Sequence, residues 1–402
     1  MSEVAKGFWH GTHRATAPAT TLDRVRPLAA EFGITRTANV TGLDRIGLPV
    51  VMVCRPNSRS ISVQQGKGLS LEAAKASGVM EAVETFHAEH ILLPLKHASR
   101  RDLAAAHPLI DVDGLPGTGR FHDDLPLLWI EGRDLRSRQS VWLPYELVHA
   151  DFTLPQPAGS GCFPATTNGL ASGNVPLEAL VHGLCEVIER DATTLFHACR
   201  EAERARRRLD LASVDDPTCR SVLDRLDMSG FDLAVWDVTS DLGVPCFEAL
   251  LLDRQYADGH LGHGAGCHPV REVALLRALT EAVQVRMTYI VGVRDDLPTA
   301  QFSRIGRQRK RLHARLAAEP DGAPQTFAAI PSFEGASFDQ DLSWLLARLT
   351  AVGLDRVVTV DLTRPEFGIP VVRVIVPGLE PPDDGPDYRP GPRALARRRA
   401  GR

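Results

Sequence analysis

The chain has 402 residues, a formal net charge of −4 and a hydrophobic content of 44 %, which describes an ordinary globular protein with more than one hydrophobic core and no general nucleic-acid signal. Its seven cysteines (Cys54, Cys162, Cys185, Cys199, Cys219, Cys246, Cys267) form no Cys-x-x-Cys pair, and the odd number points to reduced thiols in a cytoplasm. The opening MSEVAKGFWHGTHR lacks a secretory apolar region, and no stretch reaches membrane-spanning length.

In chain order, residues 22–56 read as a helix followed by two β-rich runs about the turn Gly47-Leu48-Pro49. An apolar helix is expected over 71–85. Residues 127–135 and 141–148 read as a second hairpin, joined by Arg136-Ser137-Arg138-Gln139, and a helix over 177–190 follows the Gly-rich run 166–174. Helix plus hairpin recurs over 222–253 about Gly243-Val244-Pro245; the turn-like run 262–266 then leads to a helix over 272–286. Residues 304–335 are polar, basic and Pro/Gly-spotted, as a surface excursion would be, and a third helix-plus-hairpin spans 345–377 about Gly368-Ile369-Pro370. The expected class is α+β, with helices stacked on antiparallel sheets in lobes of about 1–110, 111–210 and 211–380, and a Pro/Arg-rich tail over 381–402. The basic clusters at 204–208, 304–315 and 393–402 lack interleaved aromatics and read as solvated faces.

The three apolar helices share a polar pattern. Aligned on it, Glu81, Glu186 and Glu281 superpose, as do Glu84, Glu189 and Gln284, and His182 falls with Ser77 and Arg277. At spacing i, i+3 two carboxylates project from one helix face and repel unless a cation lies between them. Four such glutamates on two apolar helices therefore read as a divalent-metal cage. Mg²⁺ held there would bridge the phosphates of ATP, with Arg190 and Arg286 neutralising charge and glycines at 66–70, 166–174 and 262–266 freeing backbone N–H groups for anions. No Gly-x-x-x-x-Gly-Lys-Ser/Thr loop is present. Two other metal readings compete: a di-iron bundle around Glu84-x-x-His87-x-x-His90, which lacks a second copy, and zinc at His260, His263, Cys267 and His268, a stretch that reads better as turn or cap.

These residues resemble the YcaO superfamily of ATP-dependent enzymes over nearly the whole chain. Ser77-x-x-x-Glu81-x-x-Glu84, the run from Asn168 to Asn174 with Glu178 and Glu186-x-x-Glu189-Arg190, and Glu281-x-x-Gln284-x-Arg286 look like that family's three nucleotide and metal motifs. The resemblance implies that Glu81, Glu84, Glu186 and Glu189 coordinate Mg²⁺, and that Ser77, Asn174, Glu178, His182, Arg190, Glu281, Gln284 and Arg286 surround ATP. Arg190 and Arg286 are the expected catalytic arginines. Arg14 and Thr21 are spaced like the Lys and Ser that meet the nucleoside in some members, and Thr85 stands where many carry Arg.

Such enzymes phosphorylate a backbone amide oxygen and let a nucleophile expel phosphate. The runs Gly11-Thr12-His13-Arg14, Thr41 to Pro49 and Val376 to Glu380 look similar to the subset that works beside TfuA-type proteins, which implies thioamide formation on a ribosomally made precursor peptide with an external sulfur donor. The tail Pro390-Gly391-Pro392-Arg393 departs from the Pro-x-Pro-x-Pro end of azoline-forming members. An azoline cyclodehydratase and a nucleotide-binding regulatory subunit are the alternatives. The expected assembly is a cytoplasmic homodimer with a separate TfuA-like partner.

Overall fold

The computed structural model describes residues 3–256, 259–294, 296–318, 323–383 and 388–400. The first part of the chain supplies β1 (Gly7–Trp9), β2 (Thr12–Arg14), α1 (Pro18–Val25), β3 (Arg36–Asn39), β4 (Val50–Cys54), β5 (Val63–Lys67), α2 (Leu71–Glu89), β6 (Leu95–Ala98) and α3 (Arg100–Ala104). The middle gives β7 (Leu127–Asp134), β8 (Ser140–Pro144), β9 (Leu170–Ser172), α4 (Pro176–His197), α5 (Glu201–Arg206), α6 (Pro217–Met228), β10 (Phe231–Asp237), β11 (Cys246–Asp253) and β12 (Gly262–Cys267). The last part gives α7 (Arg271–Val291), α8 (Arg304–Ala318), α9 (Phe338–Ala351), β13 (Val358–Asp361), β14 (Val371–Ile375) and α10 (Pro392–Ala400).

The antiparallel α+β architecture is as expected. Each helix-plus-hairpin turns on a glycine in the left-handed region, at φ 72° for Gly47, 65° for Gly243 and 62° for Gly368, where a side chain would be strained. Each hairpin then takes a third antiparallel strand with a long helix behind it. β3–β4–β5 is backed by α2, and β10–β11–β12 by α7. The third unit is closed differently: β14 pairs with β9, Val371 opposite Ser172, and β9 leads directly into α4. Its strand and helix thus precede its hairpin in the chain. β6, β7 and β8 extend the same sheet through the pairing of β7 with β13.

Close helix–strand contact explains the glycines at 262, 264 and 266. Two strand residues advance about 6.6 Å and four helical residues about 6 Å, so alternate β12 positions meet every fourth residue of α7. A Cβ at Gly262, Gly264 or Gly266 would lie 2.2, 2.3 or 2.2 Å from the carbonyl oxygens of Ala282, Ala278 and Ala274. A Cβ at Gly66 on β5 would likewise lie 2.0 Å from the oxygen of Ala74 on α2. These glycines seat helices on strands. The anion-loop expectation is corrected at 262–266, which is a paired strand rather than a turn.

Two segments expected at the surface are docked. In α8, Arg311 is buried, with its guanidinium donating to the carbonyl oxygens of Tyr256 and Asp253. In the tail, Arg393 of α10 binds Asp191 of α4 through two 2.9 Å bonds, and the Ala394 amide donates to Glu380 at 2.9 Å. Residues 319–322 of the expected excursion, and 384–387 and 401–402 of the tail, lie outside the described residues. Among the described residues no helix is long and apolar enough to cross a membrane.

Candidate active site

α2, α4 and α7 place the same three helical positions on one cleft of about 490 Å³: Ser77, Glu81 and Glu84; His182, Glu186 and Glu189; Arg277, Glu281 and Gln284. The spacing i, i+4, i+7 keeps each trio on one helix face. Supports differ. Ser70 caps α2 by accepting from the Ala73 amide at 3.2 Å, α4 opens on Pro176, and α7 ends at Gly292 with φ 64°. Glu84 is aimed by β9, whose Ser172 donates to it from the amide at 2.8 Å and the hydroxyl at 2.7 Å. Gln284 donates to the Gln65 carbonyl at 2.8 Å.

At the rim of the cleft, Glu178 accepts from Asn174 through its amide at 3.1 Å and its side chain at 3.2 Å, and from the Ala15 amide at 3.3 Å. The Arg14 guanidinium stands 3.5 Å from the other Glu178 oxygen, and the Thr21 hydroxyl donates to Asn174 Oδ1 at 2.8 Å. Arg14, Thr21, Asn174 and Glu178 thus form one hydrogen-bonded set along the cleft wall.

Burial raises the carboxylates, to about 7 for Glu81, about 8 for Glu84 and about 7 for Glu186; Lys67, Ser172 and Arg190 respectively offset part of that cost. Glu189 is also raised by burial, against Arg190, whose guanidinium lies 3.5 Å from it. Burial would raise Glu281 as well, but the Lys67 ammonium is bonded to it and, with Arg190, holds it low. His182 is kept neutral by burial and by the nearby Arg277, Arg14 and Lys67.

Buried carboxylates that favour protonation are carboxylates short of cations. Among the described residues no three of the four glutamates lie within the ligand spacing of one ion. That suits Mg²⁺, which takes one or two carboxylates and fills its octahedron with water and phosphate oxygens. The donor set fits Mg²⁺ better than a softer metal, since the cleft face carries no cysteine.

One expected residue is elsewhere. Arg286 follows Gln284 by two positions, about 200° around the helix, and faces away from the cleft. Its guanidinium binds Asp44 at 2.8 Å and Asp253 at 3.1 Å and also donates to the His260 carbonyl. Arg277, aligned with Ser77 and His182, occupies the cleft in its place, as does Lys67, which no helical periodicity could reveal because it lies on β5. The di-iron reading fails at His87, whose Nδ1 bonds the Val83 carbonyl at 2.7 Å while the ring packs against Phe32 and Phe367. In the zinc set, His260 stacks on Tyr289 and His268 packs against His13. Cys267 is buried in the core, and neither it nor Cys162 lines the cleft.

A family model described as YcaO cyclodehydratase, ATP- and Mg²⁺-binding, matches residues 65–380. The chain is 37 % identical over 392 residues to an uncharacterised protein of the tfuA 3′ region of Rhizobium leguminosarum bv. trifolii, covering 95 % of this chain and 92 % of the relative. It is also 37 % identical over 382 residues to an uncharacterised protein of Methanothermobacter thermautotrophicus, covering 91 % and 95 %. Among solved structures, YcaO from Methanopyrus kandleri bound with AMPPCP and Mg²⁺ has the same fold, with a TM-score of 0.75 at 24 % identity over 94 % of this chain and 95 % of that one. A heterocyclase in complex with substrate and cofactor superposes with a TM-score of 0.78 at 23 % identity over 95 % of this chain, which spans 54 % of the heterocyclase's length. The family match, the full-length relatives and the shared fold together establish that this chain belongs to the YcaO family, whose cofactors are ATP and Mg²⁺.

Proposed function

We propose that this protein uses ATP to phosphorylate the oxygen of a peptide backbone amide, and that sulfide then displaces the phosphate to leave a thioamide. The observation that carries the reading is the convergence of the three helical trios, with their under-neutralised carboxylates, on one cleft. The tfuA setting of the Rhizobium relative supports sulfur as the incoming atom. Phosphorylated substrate, ADP and then inorganic phosphate account for every oxygen: the amide oxygen leaves on phosphate, sulfide forms the new carbon–sulfur bond, and the amide nitrogen regains its proton.

Glu81, Glu84, Glu186 and Glu189 would hold Mg²⁺, which when bound supplies positive charge against the triphosphate. Arg190 and Arg277 face the same cleft, where fixed guanidinium donors favour the charge that builds on a transferring phosphoryl group. Lys67 is bonded to Glu281 and holds it ionised, so that carboxylate already has a cationic partner. Arg14, Thr21, Asn174 and Glu178 form the polar wall where a nucleoside would lie. A precursor peptide, a TfuA-like partner and a sulfur donor complete the proposed system, and a homodimer is its proposed assembly.

The test is intact-mass analysis of a candidate precursor with ATP, Mg²⁺, sulfide and the TfuA-like protein. A gain of about sixteen mass units that requires ATP supports thioamidation. A loss of about eighteen would overturn it in favour of azoline formation on the same phosphorylated intermediate.

A further inference from the structure

Away from the ATP cleft, the last turn of α4 meets the β11–β12 sheet at a cluster of ligand-type side chains. His197 Nε2 lies 3.0 Å from Glu248 Oε2, and His263 Nε2 lies 2.7 Å from Glu248 Oε1. Among the described residues this is the group of three His, Cys, Asp or Glu side chains whose ligand atoms all fall within 4.8 Å of one another. A tetrahedral ion with bonds of about 2.0–2.1 Å spaces its ligands by about 3.3 Å, so small rotations of these side chains suffice to admit one.

A second feature points the same way. The other ring nitrogen of His197, Nδ1, faces both oxygens of Asp383, at 3.1 and 3.2 Å. Both ring nitrogens face carboxylates, so without an ion the ring holds two protons; an entering ion would replace the Nε2 proton, while Asp383 keeps the Nδ1 proton and the ring orientation, an arrangement typical of metal-binding histidines. Glu248 is almost fully buried, whereas the His263 side chain is 50 % exposed, which leaves an entry path and an open fourth position. Two imidazoles and one carboxylate are the donor set of a zinc-type ion, unlike the four carboxylates proposed for Mg²⁺ in the cleft.

The structure assigns to His197, Glu248 and His263 a second metal site, selective for Zn²⁺-like divalent ions, with Asp383 as the positioning residue. Bound there, the ion ties the end of α4, which bears Glu186 and Glu189, to the sheet that seats α7. His197 lies eight residues beyond Glu189, about 12 Å along the helix, and none of His197, Glu248 and His263 lines the cleft.

Chelator-treated full-length protein titrated with Co²⁺ tests this. The expected result is a tetrahedral visible band that saturates near one equivalent, persists in Glu186→Gln, is lost in His263→Ala, and needs about tenfold more Co²⁺ in Asp383→Asn. Zn²⁺ should bleach the band and excess Mg²⁺ should not. Absence of a tetrahedral band in the wild type, its survival in His263→Ala, or its loss in Glu186→Gln would each overturn the assignment. If His263→Ala does not fold, His263→Gln, which keeps most of the side-chain bulk, decides: a band unchanged there removes the site, and an unchanged titration in Asp383→Asn removes the positioning role.

Discussion

Gln284 and Arg286 stand two positions apart on α7 and face opposite ways. Gln284 bonds the Gln65 carbonyl in the cleft, and Arg286 spans Asp44 and Asp253 on the far side. All three members of that ion-pair group are buried or nearly so, with side-chain exposures of 7 %, 4 % and 0 %. Removing the arginine leaves the buried Asp44 carboxylate without its guanidinium partner, while Asp253 keeps Arg45 at 2.6 Å. Arg286→Met should therefore lower unfolding free energy by about 3–5 kcal/mol, measured by urea denaturation. ATP turnover per folded molecule should change little, whereas a phosphoryl-stabilising arginine would give the reverse pattern.

Glu186 and Glu189 line the cleft and are proposed metal ligands, so their variants should behave in the opposite way. Glu186→Gln or Glu189→Gln keeps size and fold but removes one anionic ligand; phosphate release should fall by about two orders of magnitude or more. Because burial already pushes Glu186 up to about 7, the metal-free Gln variant should be no less stable than the parent. Phosphate release at the parent rate would remove these residues from the metal site.

His87 gives the chain a defined acid sensitivity. Burial lowers it from 6.5 to about 4, and its ring packs in the core. Between those values the unfolded chain binds a proton that the folded chain refuses, so this group's contribution to stability is full above about pH 6.5 and is lost as pH drops toward 4, a window shared with His13 and His260. This single group accounts for about 3 kcal/mol at the low end. His87→Gln should flatten that slope in urea midpoints measured across the window, and an unchanged slope would show that another group sets it.

Gly264 should tolerate no side chain. A Cβ there would lie 2.3 Å from both the Ala278 oxygen and the Ala282 nitrogen, backbone atoms that cannot swing aside. Gly264→Ala should cost about 3 kcal/mol in unfolding free energy and, by lifting α7, weaken ATP binding as well. Gly353, with nothing within 4 Å of its Cβ position but φ at 80°, is the control in which only backbone strain is added; the cost there should be about 1 kcal/mol.

The fold was legible where chemistry is local. The Gly-apolar-Pro turns announced the three hairpins because a tight reversal needs a left-handed glycine, and the trios at i, i+4, i+7 announced the cleft because helical spacing survives folding. What spacing could not show was which face a residue takes once it leaves the repeat. Arg286 shares a motif with Gln284 yet serves a buried ion pair, and Lys67 reaches Glu281 from a strand more than two hundred residues earlier. The closing of the third unit by β9 and α4, and the docking of Arg393 on Asp191, likewise depend on long-range pairing that no local pattern encodes. His263 drew notice in the sequence with the wrong companions, since Glu248 and His197 join it only through strand register and the reach of α4.

In the proposed reaction, ATP activates the substrate amide through the amide's own oxygen. A precursor peptide carrying heavy oxygen in its backbone carbonyls, turned over with ATP, Mg²⁺ and sulfide, tests this most directly by mass analysis of the released phosphate. One heavy oxygen should appear in the phosphate for each amide converted. Unlabelled phosphate accompanying converted peptide would contradict it.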